Sequence, residues 1–173
     1  TEYSKGLSIG KSVLDVGAGE GPYRDIFKNL EYHTLDLEVG DDAWDYSQLT
    51  YQASVYDMPI KDERYDYVIC SQIFEHLAEP KQALKEIYRV LKTGGEIFIT
   101  VPFHQNEHQT PHDYYRYTSF GLKYLLEQAG FKNIEVSRIG GRYTRWAIEA
   151  PNFGSFLPRL KVAILILLSD NIL

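Results

Sequence analysis

Short apolar runs alternate along the chain with segments whose apolar side chains repeat every three or four residues. The run SVLDV at 12–16 is followed by the glycine-rich GAGEG and then by PYRDIFKNL at 22–30. Four apolar side chains of that last segment fall on one helical face: Tyr23, Ile26, Phe27 and Leu30. This order predicts a strand, a glycine turn and a helix.

Three further strands are predicted before residue 71. They are YHTLDL at 32–37, YQASV at 51–55 and YDYVIC at 65–70. The second half of YDYVIC is continuously apolar, which is typical of a strand that is covered on both faces. Helices are therefore expected on both sides of the sheet.

The second half of the chain continues the alternation. PKQALKEIYRVLKTGG at 80–95 has a helical apolar repeat, with proline in the first turn and Gly94 just past the end. A strand is predicted at 96–103. The segment 119–131 contains a further amphipathic helix that is closed by Gly130, and two last strands are predicted at 133–139 and 143–150. We expect an α/β fold: a doubly wound, mostly parallel seven-stranded sheet with helices on both faces, in a domain spanning 1–150.

The segment 151–173 breaks this pattern. Its run LKVAILILL is almost wholly apolar, but nine residues are far fewer than the roughly 20 needed to span a bilayer. Three interpretations stay open for this C-terminal tail: a helix docked on the domain or forming a homodimer contact through 157–169, contact with a membrane surface, or part of a longer hydrophobic segment.

Composition narrows the choice of partners and compartment. The formal net charge of −6 speaks against a nucleic-acid partner, because such proteins usually carry a basic face. The single cysteine, Cys70, lies in an apolar run and can form no internal disulfide. We therefore predict a cytoplasmic protein, with peripheral contact at the inner face of the membrane as the alternative that the tail leaves open.

The glycine turn is the first candidate binding site. In a doubly wound sheet, ligands bind at the carboxyl ends of the strands, and glycines let the backbone approach them closely. The spacing is G-x-G-x-G, with Asp15 two residues before Gly17, and it departs from the dinucleotide fingerprint G-x-G-x-x-G. Asp15 and Glu20 would repel a pyrophosphate, so a ligand with its own positive charge is favoured.

Residues 11–136 resemble the class I S-adenosylmethionine (SAM) methyltransferases in four motifs. Asp15 and the glycine turn resemble motif I, and the segments YDMP (56–59), YDYVICSQIFEHL (65–77) and RVLKTGGEIFITVPF (89–103) resemble the later motifs in the same order. The resemblance implies a Rossmann-like SAM methyltransferase fold and an enzyme that uses SAM and releases S-adenosyl-L-homocysteine.

The resemblance also implies roles for single residues. Asp36 would hold the ribose hydroxyls, Asp57 would accept a hydrogen bond from the adenine amine, and Met58 would pack on the adenine ring. The full set of implied cofactor-binding residues is Asp15, Gly17, Ala18, Gly19, Gly21, Asp36, Leu37, Asp57, Met58 and Ser71.

The acceptor side is expected in the loop after the fifth strand. The segment HQNEHQTPHDYYRYT at 104–118 resembles a branch of small-molecule methyltransferases found with polysaccharide and glycan biosynthesis. In that interpretation four residues contact the acceptor: Asp113, Tyr114, Arg116 and Tyr117. The alternative is an internal Asp113–Arg116 pair with Thr118 or Ser119 capping the next helix.

No metal is expected, since a sulfonium methyl group is already activated. Pro111 breaks the helical face that would align the histidines at 104, 108 and 112. Some ubiquinone-pathway and small-RNA methyltransferases carry E-x-x-E-H after the fourth strand, and the RNA enzymes add a later histidine that helps to hold a divalent ion. This chain has Gln72 in place of the first glutamate, which removes a charged ligand. His76 and His108 are instead the candidate general bases for an oxygen acceptor.

These observations predict SAM-dependent methyl transfer to a small polar acceptor, such as the hydroxyl of a sugar or glycan precursor. One alternative is a quinone-like or other aromatic acceptor. The other is a SAM-fold binding or scaffold protein without catalysis.

Overall fold

The computed structural model describes residue 7, residues 9–40 and residues 43–138. This part of the chain contains five strands and two helices, with a 3₁₀ turn at Phe74–His76. The strands are β1 (Ser12–Val16), β2 (Glu31–Asp36), β3 (Tyr51–Gln52), β4 (Tyr65–Ser71) and β5 (Leu91–Thr100), and the helices are α1 (Pro80–Val90) and α2 (Ser119–Gln128).

The five strands form one parallel sheet in the order β3-β2-β1-β4-β5. The chain steps outward from β1 to β3, returns beside β1, and then continues outward to β5. The strand order therefore reverses between β1 and β4, where the carboxyl ends of both strands open a crevice. The predicted doubly wound fold class is confirmed.

Alternate side chains of the central strands feed two cores. Leu14 of β1 and Val68 of β4 belong to a large core that also receives buried side chains of α1 and α2. Val13 and Ile69 point the other way, into a smaller core with Phe27. Both faces of the sheet are covered, as the continuously buried β1 requires.

Three predicted elements differ in the structure. The segment 22–29 is a succession of turns instead of a helix, with only Phe27 N–H donating to the carbonyl four residues back. The predicted third strand is reduced to β3, and β5 begins at Leu91, directly after α1.

The predicted last strands are not found within the described residues. Residues 133–138 have no strand assignment, and 143–150 as well as the tail 151–173 lie outside the described residues. The chain divides into two compact units, the first comprising 1–103 and 107–134 and the second 104–106 and 135–173. The glycine turn, the segment after β4 and residues 107–118 lie in the first unit. Among the described residues, no helix has the length and apolar character to cross a membrane.

Asp66 links three strands at the amino-terminal edge of the sheet. Its carboxylate accepts hydrogen bonds from the backbone N–H and hydroxyl of Ser12, at the start of β1. It also pairs with Lys11 at 2.9 Å and with Lys92, at the start of β5, at 2.7 Å. Burial opposes ionisation, but these hydrogen bonds outweigh it and hold the pKa of Asp66 well below its usual range.

Candidate functional site

The glycine turn follows β1 directly and is bonded to the end of β2. The backbone N–H groups of Gly17 and Ala18 both donate to the Leu35 carbonyl, at 2.8 and 3.2 Å. Gly17 has φ +69, and a Cβ built on it would lie 2.2 Å from Cγ2 of Ile73. Glycine is therefore required here twice, by the backbone conformation and by the close approach of Ile73.

Asp36, at the end of β2, ties the glycine turn in place. One carboxylate oxygen accepts from Gly19 N–H at 2.9 Å and the other from Glu38 N–H at 2.8 Å. A carboxylate oxygen has two lone pairs, so each can still accept a hydrogen bond from a ligand. Asp36 can thus position the turn and bind a diol at once, and its predicted ribose role stays a prediction.

The carboxyl group of Asp15 is buried. It is 1% exposed and accepts a hydrogen bond from the Tyr32 hydroxyl. Burial raises the pKa of Asp15 to about 7, against the lowering effect of the Tyr32 hydrogen bond. A cationic ligand at the glycine turn would favour the charged carboxylate.

A tryptophan that the sequence analysis did not single out lies on the glycine turn. The Trp44 ring lies 3.3 Å from where a Gly19 Cβ would be, and Asp45 N–H donates to the Glu20 carboxylate. Tyr46 follows, and its hydroxyl accepts from Gly40 N–H. The aromatic doublet in AWDY, between two predicted strands, is the sequence signal for this cover.

The other predicted cofactor residues have different surroundings. Leu37 is half exposed just beyond β2, and Asp57 is exposed. Met58 is 3% exposed and packs in the large core, so little of its side chain is open to an adenine ring. The Ser71 hydroxyl bonds with Tyr23 at 2.9 Å and Thr100 at 3.1 Å.

The loop at 104–118, where the acceptor is expected, is fastened by its own residues. Arg116 donates two hydrogen bonds to Asp113, at 2.6 and 2.8 Å, and Asp113 also accepts from His108 N–H. The Thr118 side chain caps α2 by accepting from Gly121 N–H. The Asp113–Arg116 pair and the Thr118 cap are therefore present, and they hold the loop. A loop fastened in this way can still contact an acceptor, so the acceptor roles of Asp113 and Arg116 stay predictions.

The loop is also strapped to the turn that follows β4. Tyr114 and Tyr115 N–H groups donate to the Glu75 carbonyl, and the Tyr117 hydroxyl donates to the Phe74 carbonyl. Tyr117 is buried in the core, whereas Tyr114 is half exposed. Of the two predicted tyrosine walls, only Tyr114 presents its ring to solvent.

This strapping brings together the two predicted histidine bases. The rings of His76 and His108 lie edge to face, with centroids 4.8 Å apart. Beside them is Glu75, fully buried, and burial raises the pKa of its carboxyl group. The two histidines were predicted as separate candidate bases, and their contact arises because two separate loops meet.

Residues 14–99 match a family model described as a methyltransferase domain. The ubiquinone biosynthesis O-methyltransferase of Pseudomonas fluorescens (strain SBW25) is 27% identical over 105 residues, which cover 53% of this chain and 44% of that protein. That of Pseudomonas paraeruginosa (strain DSM 24068 / PA7) is 25% identical over 132 residues, 68% of this chain and 53% of that protein. The chain spans about half the length of these curated relatives.

Two solved structures share the fold. Phosphoethanolamine N-methyltransferase 2 of Haemonchus contortus, in complex with S-adenosyl-L-methionine, has a TM-score of 0.64 at 19% identity and covers 95% of this chain and 45% of that one. A SAM-dependent methyltransferase from Aquifex aeolicus has a TM-score of 0.57 at 22% identity and covers 80% of both chains.

Proposed function

Since the chain belongs to the class I SAM-dependent methyltransferases, we propose that it transfers the methyl group of SAM to a hydroxyl oxygen of a small-molecule acceptor. The observation that carries this proposal is the glycine turn at the carboxyl end of β1, held by Asp36 and backed by the buried Asp15. This turn lies at the strand-order reversal, where open α/β sheets bind their ligands.

The charges of the turn suit SAM. Its sulfonium and ammonium groups are positive, and the acids at the turn are Asp15, Glu20 and Asp36. The exposed face of Leu37, one residue past Asp36, offers an apolar surface for the adenine ring. After methyl transfer the sulfur of S-adenosyl-L-homocysteine is neutral, so the attraction between the sulfonium and the acids is lost. This loss favours replacement of the product by a new SAM.

The chemistry requires alignment and a proton acceptor. The acceptor oxygen attacks the methyl carbon in line, the carbon–sulfur bond breaks with its electrons going to sulfur, and the hydroxyl proton leaves. His76 and His108 lie at the carboxyl edge, just beyond β4 and in the loop after β5. Their imidazoles are the candidate recipients of that proton.

For the acceptor we propose a small polar hydroxyl compound such as a sugar or glycan precursor. The polar acceptor loop supports this, since Arg116 and His108 lie beside each other around Asp113. A phenolic or quinone-like acceptor is the second candidate. It is supported by the names of the curated relatives and by the neighbouring rings of Tyr114 and Tyr115, with centroids 6.3 Å apart.

Cofactor binding tests the proposal first. Isothermal titration calorimetry should detect one SAM, or one S-adenosyl-L-homocysteine, per chain. Asp36→Ala should weaken SAM binding roughly tenfold to a hundredfold, since a hydrogen bond to a charged group is worth about 1.5–3 kcal/mol. Asp25→Ala removes an exposed acid of the turn segment and should leave the affinity unchanged. The absence of binding heat with both SAM and S-adenosyl-L-homocysteine would refute the proposal.

Turnover with methyl-labelled SAM tests the acceptor. Separate reactions with sugars, glycan precursors and catechols should label one class, and the position of the label identifies the methylated oxygen. SAM binding without transfer to any class would favour the non-catalytic SAM-fold alternative. Labelling of catechols alone would replace the sugar with the phenolic acceptor.

A further inference from the structure

One phenol reaches the buried carboxyl group that precedes the glycine turn. Tyr32 lies on β2, and its hydroxyl donates to one carboxyl oxygen of Asp15, in β1. Asp15 is 1% exposed. Among the described residues, Tyr32 is the side chain that donates a hydrogen bond to this carboxyl group, and no cationic side chain forms an ion pair with it. The state of the Asp15 carboxyl group therefore depends strongly on one hydroxyl.

The pairing of β1 with β2 explains why a tyrosine can make this contact. Tyr32 is level with Val13, and Asp15 lies two residues further along β1. Val13 and Asp15 point to the same face of the sheet, because side chains alternate along a strand. The offset of two residues is about 6.6 Å along the strand. A phenol can span this offset, whereas the hydroxyl of a serine or threonine could not.

The ring of Tyr32 is fixed independently of its hydroxyl. It stacks on Phe27, with ring centroids 5.9 Å apart and ring planes at 10°. The guanidinium carbon of Arg24 lies over the ring, 5.3 Å from its centroid, and Arg24 also donates to the Gln48 carbonyl at 2.9 Å. Phenylalanine at position 32 would keep these ring contacts. Removal of the hydroxyl therefore tests the hydrogen bond apart from the packing.

The other ionisable groups around Asp15 do not favour its charge. Asp36, on β2, disfavours the Asp15 carboxylate by repulsion. Cys70, on β4, is fully buried, and burial raises the pKa of its thiol well above the usual value, so the thiol stays neutral. Burial itself also opposes ionisation of Asp15. The Tyr32 hydroxyl is thus the neighbouring group that favours the carboxylate.

Tyr32 remains a hydrogen-bond donor over the whole neutral pH range. Burial raises the pKa of its phenol, the neighbouring Asp15 and Tyr23 raise it further, and Arg24 lowers it by less. The phenol therefore keeps its proton at every pH at which Asp15 changes its charge. A hydrogen bond donated to a carboxylate stabilises the charged form of the acid.

We propose that Tyr32 is a positioning residue for the cofactor, whose hydroxyl keeps the Asp15 carboxylate charged and oriented towards the cationic groups of SAM. This role rests on the proposed function, in which SAM occupies the glycine turn. Tyr32 acts through Asp15 and needs no contact with SAM itself. The affinity for SAM then depends on the fraction of the protein in which Asp15 is ionised.

The affinity of the wild type for SAM should rise with pH. Burial raises the pKa of Asp15 to about 7, so the carboxyl group of the free protein is mostly neutral at pH 6 and mostly charged at pH 8. A ligand that prefers the charged form binds more tightly as the pH rises through this range. The SAM dissociation constant should be about tenfold higher at pH 6 than at pH 8.

Tyr32→Phe tests the role of the hydroxyl through a pH profile. Without the hydrogen bond, Asp15 should ionise only at higher pH. Isothermal titration calorimetry with SAM should give a dissociation constant about tenfold above the wild-type value at pH 6 and within about twofold of it at pH 8.5. The amine of SAM titrates equally in both measurements, so comparison of the two proteins at one pH cancels its effect. A ratio that does not change with pH would overturn the proposal.

Tyr67→Phe is the matched control. Tyr67 lies on β4, packs against the same small core and is level with Val13 from the other side of β1. Loss of its hydroxyl should leave the affinity for SAM unchanged at both pH values. A pH-dependent loss like that of Tyr32→Phe would mean that any hydroxyl of this core has the effect, and would refute a specific role of Tyr32.

The background Asp15→Asn shows whether Tyr32 acts through Asp15. In that background, Tyr32→Phe should change the affinity by the same factor at pH 6 and pH 8.5, because no charge remains to be stabilised. A pH-dependent factor that persists there would contradict the proposal. These measurements need no acceptor and no turnover, so a failure of methyl transfer would not affect them.

Proton release provides a second measurement if Tyr32→Phe does not fold. When SAM binds to the wild type at pH 6, the Asp15 carboxyl proton should pass to the buffer. Calorimetry in two buffers of different ionisation enthalpy should then show the release of about one proton for each SAM bound. Binding without proton release would overturn the proposal.

Discussion

At the scale of single residues, the ionisation of the buried Asp15 makes the stability of the unliganded protein depend on pH. Its burial raises its pKa to about 7, from 3.8 in an unfolded chain. For a group whose pKa is raised by folding, the stabilising contribution is complete below pH 3.8 and is lost as the pH rises through about 7. The unliganded protein should therefore become less stable between pH 5 and pH 8 through this group.

Asp15→Asn tests this dependence. Asparagine can still accept a hydrogen bond from Tyr32 but cannot ionise. The free energy of unfolding of the variant should therefore not depend on pH through position 15. Thermal unfolding at pH 5, 6, 7 and 8 should show the melting temperature of the variant rising relative to that of the wild type as the pH increases. A difference that stays constant over this range would show that Asp15 does not titrate there.

Ligand binding reverses the preference of the same residue. A cationic ligand next to the glycine turn favours ionised Asp15. The attraction between the ligand and the carboxylate then offsets part of the free energy that burying this charge costs. The acid therefore lowers the stability of the empty protein and favours the occupied state.

At the scale of elements, the glycine turn and the segment after β4 depend on each other. Alanine at position 17 would place its Cβ 2.2 Å from the Ile73 side chain and would also be strained at φ +69. We expect Gly17→Ala to destabilise the protein by several kcal/mol and to weaken SAM binding.

The double variant Gly17→Ala/Ile73→Ala separates the two causes. It removes the clash but keeps the strained φ angle, so it should be more stable than predicted from the sum of the two single variants. Denaturant unfolding of all four proteins measures this coupling. Additive effects would mean that Ile73 moves aside at no cost.

Local patterns predicted much of this fold. β1, β4 and α1 begin where their apolar repeats and the proline of α1 predict. The helix predicted at 22–30 has the right apolar positions, but Ile26 is 42% exposed and the segment forms turns. Apolar periodicity was the only signal used there, and it does not distinguish a short helix from a succession of turns.

The site was predictable only in part for the same reason. Asp15, Asp36 and the glycines follow strands at recognisable spacing, so their common position at the carboxyl edge could be inferred. The meeting of Glu75 with His108 depends on backbone hydrogen bonds between two loops about 30 residues apart. Contacts between loops produce no periodic pattern of apolar residues, so they cannot be predicted from the sequence in this way.

At the scale of the whole described sheet, its two edges have separate tasks. The carboxyl edge carries the glycine turn and the histidines, and Asp66 holds three strands together at the amino edge. Changes at the amino edge should therefore alter stability and leave ligand binding intact.

Asp66→Ala tests this separation. It leaves the Ser12 N–H without its acceptor and the Ser12 hydroxyl with only the Arg64 carbonyl, which should lower the free energy of unfolding by roughly 1–3 kcal/mol. The dissociation constant for SAM, measured well below the melting temperature, should equal that of the wild type. A large loss of affinity in the folded variant would mean that the two edges are coupled.

Trp44 gives the glycine turn an optical signal of its own. The chain has two tryptophans, and replacement of Trp146 by phenylalanine would leave Trp44 as the sole indole emitter. Because its ring lies against Gly19, a molecule that enters the turn changes the polarity around that ring. Intrinsic fluorescence can therefore report occupancy in real time, and stopped-flow mixing can follow how fast the crevice fills and empties.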